Sequence, residues 1–340
     1  MPDLFVTNFN RNFTGVSATA ANVIRQQAKT HDLRLVGHPL PGCPDPITLR
    51  AARGLSRAQA FAIWHVRRNP EMRAAIWSRD VLRLPIRIVF TSAAQRRHST
   101  YPRWLISRMD AVIATTERAA EFVPHVRAVV PHGVDTDMFT PSTDRAVDWA
   151  ALGYGGTMGI ASIGRVRPEK GTDLFVQAML RLLPDLPGAK ALVIGRAARE
   201  HQGFLRGLQD QAVAAGLADR LLFVGEVPAS DLPKLMRALS LVVQLPRYEG
   251  YGMVPLEGMA SGVPFVGSDA GYYSAFASQG RSGIVVRQES AQGAVEAART
   301  LLAADRHAAS SAAAREIAVH SFSAATEAAG IEAVYRAMSL

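Results

Sequence analysis

The chain is nearly devoid of cysteine. Cys43 stands alone among 340 residues, which excludes an internal disulfide and any metal site built on several cysteines, and suits a reducing cytoplasm. Long apolar runs are also missing. No stretch approaches the roughly eighteen uninterrupted apolar residues of a membrane-spanning helix, and Asp3 and Asn8 interrupt the opening apolar run, so no secretory leader is expected. Lysine is rare throughout, and acidic residues are scarce in one region. Between Arg50 and Arg108 thirteen arginines face only Glu71 and Asp80, a net of +11 against +9 for the whole chain. Positive charge is therefore concentrated in the N-terminal half, with Trp64, Trp77, Tyr101 and Trp104 interleaved. Such a region is either a solvated arginine-rich surface or a face for anionic lipid head groups or an acidic glycolipid acceptor. Arg67, Arg68, Arg96 and Arg97 are its candidate contacts. No nucleic-acid module is legible, so nucleic acid is not an expected partner.

What is present describes a globular chain with room for two cores: 340 residues, 48% hydrophobic and 20% charged. Short apolar runs at 4–7, 33–37, 86–91, 110–115 and 128–130, and again at 159–163, 191–195, 221–224 and 241–244, read as strands. They alternate with helical stretches, including 16–29 after the loop NFNRNFTG, which implies two mainly parallel, doubly wound α/β units. The arginine-rich stretches 55–68 and 71–84 read as two helices broken at Asn69-Pro70. Proline, serine and glycine in 140–156 suggest a linker, with a boundary near 142–157. Expected domains are 1–145, 155–320 and a final amphipathic helix within 321–340, with Ile331, Val334, Tyr335 and Met338 at helical spacing.

Chemistry concentrates in EGYGMVPLEGMASGVPFVG. Glu249 and Glu257 stand eight residues apart, the first in a glycine- and tyrosine-rich turn and the second inside a helix. Gly250 and Gly252 let backbone approach a ligand, and the N–H groups of Tyr251, Gly252, Met253 and Val254 form a potential anion seat. Arg165 and Lys170 share one loop after a strand, where two cations can converge on a diphosphate, although such a pair is often mere surface. Gly15 opens a helix after the first strand, a weaker signal for phosphate or sugar binding. His98 follows the strand at 86–91 on the side where open α/β sheets gather ligands; a lone histidine is also often just a satisfied surface residue.

Glu249 and Glu257, with GYGMVPL between them, resemble the E-x7-E signature of the retaining family-4 glycosyltransferases. GRVRPEKG at 164–171 and PHGVDTDMF at 131–139 are similar to two further segments of that family. The resemblance implies the GT-B fold, two Rossmann-like doubly wound domains with a cleft between them, the first taking the acceptor and the second the nucleotide sugar. It also implies that the final helix crosses back to the first domain. On the same basis Arg165 and Lys170 hold the donor phosphates, Glu249 orients sugar hydroxyls, and Glu257 accepts from the donor ribose. Arg196, Glu226 and Val227 lie where the base is held, Gly15 near the donor, and His98 near the transferred sugar. Arg165 and Lys170 supply the charge that a metal gives elsewhere, so no metal or other cofactor is expected.

The segments RNFTGVSATA, FTSAAQRRHS and MDAVIATT resemble bacterial lipopolysaccharide core mannosyltransferases. They imply GDP-mannose as donor and a lipid-linked saccharide as acceptor, in a cytoplasmic protein peripheral to the anionic inner face of the inner membrane. A UDP-sugar-dependent enzyme of the same family is the alternative. A nucleotide-sugar epimerase, or a non-catalytic basic protein binding membrane or nucleic acid, are the readings from other classes.

Overall fold

The computed structural model describes residues 3–12 and 14–339. Met1, Pro2 and Leu340, at the ends of the expected domain ranges, and Phe13, within the loop after the first strand, lie outside the described residues. The chain divides into two units: residues 1–133 together with 322–340, and residues 134–321.

The first unit holds a parallel sheet of β1 (Leu4–Asn8), β2 (Leu33–Gly37), β3 (Ala62–Val66), β4 (Ile86–Ser92), β5 (Ala111–Ala114) and β6 (Val126–Val129), in the spatial order 2-1-3-4-5-6. Its central strands are buried on both faces, so they read as short apolar runs without alternation. That is why β3 is hard to see. The sequence suggested helix over 55–68, whereas a helix covers Leu49–Arg57, capped by Thr48 accepting from the N–H of Ala51, and AIWHV is a strand with every residue buried. The second expected helix, 71–84, is the helix Asn69–Ile76 continued by a wide turn at Trp77–Val81. Helix Ala324–Ser339 belongs to this first unit, where Ile331, Val334, Tyr335 and Met338 share a core with Leu4, Val6 and Ile24.

The second unit repeats the plan with β7 (Met158–Ile163), β8 (Ala189–Ile194), β9 (Leu221–Gly225), β10 (Leu241–Gln244), β11 (Phe265–Ser268) and β12 (Gly283–Val286), all parallel in the order 12-11-10-7-8-9. The chain enters it at Val134, earlier than the boundary suggested near 142–157. The stretch read as linker contains helix Arg145–Ala151. Asp144 caps that helix by accepting from the N–H of Val147, and Trp149, 1% exposed, buries its ring against Gly159. One cap and one aromatic anchor outweigh a loop-like composition.

Candidate active site

In the second unit the chemistry-bearing residues follow the carboxyl ends of the strands, where parallel sheets bind ligands. A cavity of about 380 Å³ is lined by Ile163, Gly164 and Arg165 after β7, Gly195 and Arg196 after β8, and Glu226 and Val227 after β9. Four expected donor-binding residues, Arg165, Arg196, Glu226 and Val227, thus share one void. Arg165, Arg196 and Glu226 are exposed at its rim, so their charges are available to a ligand.

Lys170 and Glu249 come together directly, with Lys170 Nζ 2.5 Å from Glu249 Oε2. The other oxygen of Glu249 accepts from the N–H of Gly250 at 3.1 Å. Lys170 sits in a tight turn ending at Gly171, whose φ is +67°. A Cβ there would lie 1.8 Å from the carbonyl oxygen of Leu245, so only glycine lets the loop pack beside the end of β10.

The same loop is held by Arg247. Its guanidinium donates to both oxygens of Asp173, at 2.9 and 2.8 Å, to Glu289 at 2.9 Å and to the carbonyl of Pro168. Hydrogen bonding to Asp173 holds its proton more firmly than usual. Nothing in the sequence singled Arg247 out; its position two residues before Glu249 was the only available signal.

Helix Met253–Ala260 begins at Gly252 in the left-handed region, with φ +99° and no side chain capping its N-terminus. A Cβ on Gly252 would lie 2.1 Å from the ring of Tyr273. The turn is braced by Tyr251, which stacks on Tyr272 with centroids 5.5 Å apart and meets Phe276 edge-on. The first-turn N–H groups at Met253 and Val254 therefore sit on a rigid base, as an anion seat requires. Glu257 lies one turn further along that helix and forms no ion pair among the described residues. Burial pushes its carboxyl up to about 7.

In the first unit, His98, Arg67, Thr91, Ser92 and His132 line a cavity of about 220 Å³ at the carboxyl edge of the sheet, with Val16 and Thr19 of helix Gly15–Gln27. Gly15 itself has no heavy atom within 4 Å of a notional Cβ, so no steric reason for glycine is visible there. The expected arginine face needs correction. Arg67 is only 8% exposed, and Arg68 is engaged with Glu71, Asn8 and Ser17, leaving Arg96 and Arg97 as the exposed members. Burial follows from β3, since Arg67 continues directly from a strand at the middle of the sheet. His65, on β3, is buried between Thr91 and Tyr335 and is held neutral by that burial.

A larger cavity of about 480 Å³ lies at the amino ends of β4–β6, lined by Arg87, Asp110 and Arg127. Asp110 is paired there with Arg79, and the cavity is at the wrong sheet edge for a Rossmann-type ligand. The spacing Asp135-Thr136-Asp137 is of the D-x-D kind, but Asp135 Oδ1 accepts from the N–H groups of Asp137 and Met138. Among the described residues no group of three or more His, Cys, Asp or Glu is arranged to hold a metal.

The Glycosyl transferases group 1 family profile matches residues 154–316. The lipopolysaccharide core biosynthesis mannosyltransferase LpcC of Rhizobium leguminosarum bv. viciae is 43% identical over 295 residues, 84% of this chain and 83% of that protein. The chain belongs to the glycosyl transferase group 1 family. A second relative, the lipopolysaccharide core biosynthesis mannosyltransferase LpsB of Rhizobium meliloti (strain 1021), is 39% identical over 99% of this chain and 97% of its own length. Among solved structures, HepE of Anabaena in complex with UDP superposes with a TM-score of 0.81 at 17% identity, over 99% of this chain and 100% of that one. At that identity the match speaks to fold alone, and the fold is GT-B. The C-terminal domain of LpcC from Francisella tularensis, 28% identical with a TM-score of 0.55, covers 56% of this chain and 99% of its own. The protein is a glycosyltransferase.

Proposed function

We propose that this glycosyltransferase moves mannose from GDP-mannose to a lipopolysaccharide core saccharide, with retention at the anomeric carbon. The observation that carries the reading is the 39% identity to LpsB of Rhizobium meliloti across 99% of the chain, a relative named as a core mannosyltransferase. The site chemistry supports it. Breaking the C1–O bond leaves positive charge on the sugar ring and negative charge on the departing diphosphate. Arg165, Lys170 and the uncapped N-terminus of helix Met253–Ala260 supply positive potential for that diphosphate, each worth a few kcal/mol in the transition state. Glu249 orients sugar hydroxyls while fixing Lys170, and Glu257 accepts from the ribose. In this scheme the cations carry the role of a metal, so chelator leaves turnover unchanged.

The acceptor is delivered at an anionic membrane surface. Among the described residues no helix is long and apolar enough to cross a membrane. The first unit does present exposed Trp77, Val81, Tyr101 and Trp104, each 51–54% exposed, with Tyr101 stacked on Trp104 at 6.3 Å. Aromatic side chains beside exposed arginines are the composition of an interfacial docking face. We place the protein on the cytoplasmic face of the inner membrane for that reason.

Calorimetric titration with GDP, GDP-mannose, UDP and UDP-glucose, without added metal, tests the donor. Tighter binding of the guanine pair supports the proposal. Tighter binding of the uracil pair keeps the fold and chemistry but replaces mannose with a UDP-borne sugar.

A further inference from the structure

Arg67 is a buried cation that forms no direct ion pair among the described residues. It is 8% exposed, and its Nη1 has no hydrogen-bond partner. The two nearby carboxylates are already engaged. Glu71 accepts from Thr7 Oγ1, from the N–H groups of Phe9, Arg67 and Arg68, and from Arg68 Nη1. Glu327 is held by His132 Nδ1 and the N–H of Gly133, each at 2.7 Å. Burial outweighs the opposing fields of Glu327 and Glu71 and makes the Arg67 guanidinium less ready than usual to hold its charge. An unpaired charge taken out of water costs several kcal/mol.

Two further buried polar atoms around the same void are orphaned. Ser92 Oγ, on a residue 2% exposed, and His98 Nε2 have no hydrogen-bond partner. Both residues line the cavity of about 220 Å³ with Arg67. One orphaned group is ordinary variation. Three around one void, one of them a guanidinium, describe a receptor awaiting an acceptor of hydrogen bonds.

We propose that this cavity holds one oxyanion, a carboxylate or a phosphate, carried by the acceptor saccharide, with Arg67, Ser92 and His98 as its donors. The carrier rests on the glycosyltransferase reading; the oxyanion does not. Volume limits the occupant to one small group, because about 220 Å³ is below the usual size of a site that encloses a drug-sized ligand. Charge favours the acceptor as its carrier. The donor diphosphate has Arg165, Lys170 and a helix terminus in the second unit, and these leave nothing over for Arg67.

The test uses the full chain carrying Arg165→Ala and Lys170→Ala, so that no second cation pair competes for anions. Glucuronate and inorganic phosphate are titrated against neutral glucose, with thermal unfolding in parallel. Both anions are expected to bind and to raise Tm, and glucose to do neither. Arg67→Gln is expected to lose about ten- to a hundredfold in anion affinity. Its Tm without ligand should equal or exceed that of the parent, because an uncompensated buried charge is gone. Ser92→Ala and His98→Gln provide the same test in milder form, each weakening anion binding severalfold, should Arg67→Gln not fold. Undiminished anion binding in these variants, or equal binding of glucose, overturns the proposal. GDP and UDP are titrated into chains with Arg165 and Lys170 intact. If Arg67→Gln weakens the nucleotide as much as glucuronate, the anion belongs to the donor and the acceptor assignment falls. If neither nucleotide binds any of the chains while glucuronate still needs Arg67, the proposed donor chemistry fails and the oxyanion site stands.

Discussion

Lys170 Nζ and Glu249 Oε2 are paired at 2.5 Å, so the cation proposed for the donor diphosphate and the carboxylate proposed for the sugar are one electrostatic unit. Each sets the other's position and tempers its charge. Lys170→Ala should therefore do two things at once: remove a phosphate contact and release Glu249. We expect kcat/KM for the donor to fall about 10²- to 10³-fold. Glu249→Gln should instead free Lys170, lowering kcat while leaving nucleoside diphosphate affinity equal or higher. Steady-state kinetics with GDP inhibition separate the two; a Glu249→Gln enzyme that binds GDP much more weakly contradicts the pairing's role.

Arg247 is expected to act as a positioning residue. Its fork to Asp173 anchors the turn that carries Lys170, and a lysine's single ammonium lacks the planar pair of nitrogens that meets both carboxylate oxygens. Arg247→Lys should lower kcat/KM for the donor by roughly tenfold. A purely structural arginine would change Tm and leave donor kinetics as they were, and that pattern would count against this role.

Glu257 makes a pH prediction. Its carboxyl is raised from an ordinary 4.5 to about 7 in the free protein. Because the folded state keeps the proton to higher pH, this group's contribution to stability is fully present below about 4.5 and is lost as pH rises through about 7. Ribose hydroxyls donating to Glu257 favour its ionised form, so nucleotide binding must release a proton below about pH 7. Affinity should weaken as pH falls below that point, by up to about tenfold per unit, and Glu257→Gln should flatten the profile. Calorimetry in buffers of different ionisation enthalpy reads the proton directly; a buffer-independent enthalpy at pH 6 would remove Glu257 from the ribose.

The membrane face is tested through its aromatics. Trp77→Ser with Trp104→Ser should cut binding to phosphatidylglycerol vesicles about tenfold or more, given the apolar area each ring can bury. Neutralising Arg96 and Arg97 should chiefly reduce the dependence on salt. Vesicle binding that survives both changes at moderate salt places the contact elsewhere.

The fold was legible wherever local signals agreed with packing. Strands such as β2 and β10 are short apolar runs bounded by breakers, and the structure keeps their limits. β3 was not legible, because AIWHV is followed by two arginines and its buried histidine is satisfied by Thr91 and Tyr335, distant in sequence. Helix Arg145–Ala151 was hidden for the same reason, since Trp149 finds its partner in Gly159. At the site, the loop residues were readable as motifs, and the structure groups Arg165, Arg196, Glu226 and Val227 around one cavity. What the motifs could not convey was pairing. That Lys170 meets Glu249, that Arg247 ties the loop, and that Arg67 points inward depend on chain segments brought together only by folding.

Mannosyl transfer with retention is open to a single assay. Purified protein is incubated with GDP-mannose and a lipid-linked core saccharide lacking its terminal mannose, and the product linkage is read by NMR. The account predicts a single mannose added in the same anomeric configuration as the donor, with turnover abolished by Lys170→Ala and indifferent to chelator. Transfer from a UDP-sugar alone, or a product of inverted configuration, would contradict it.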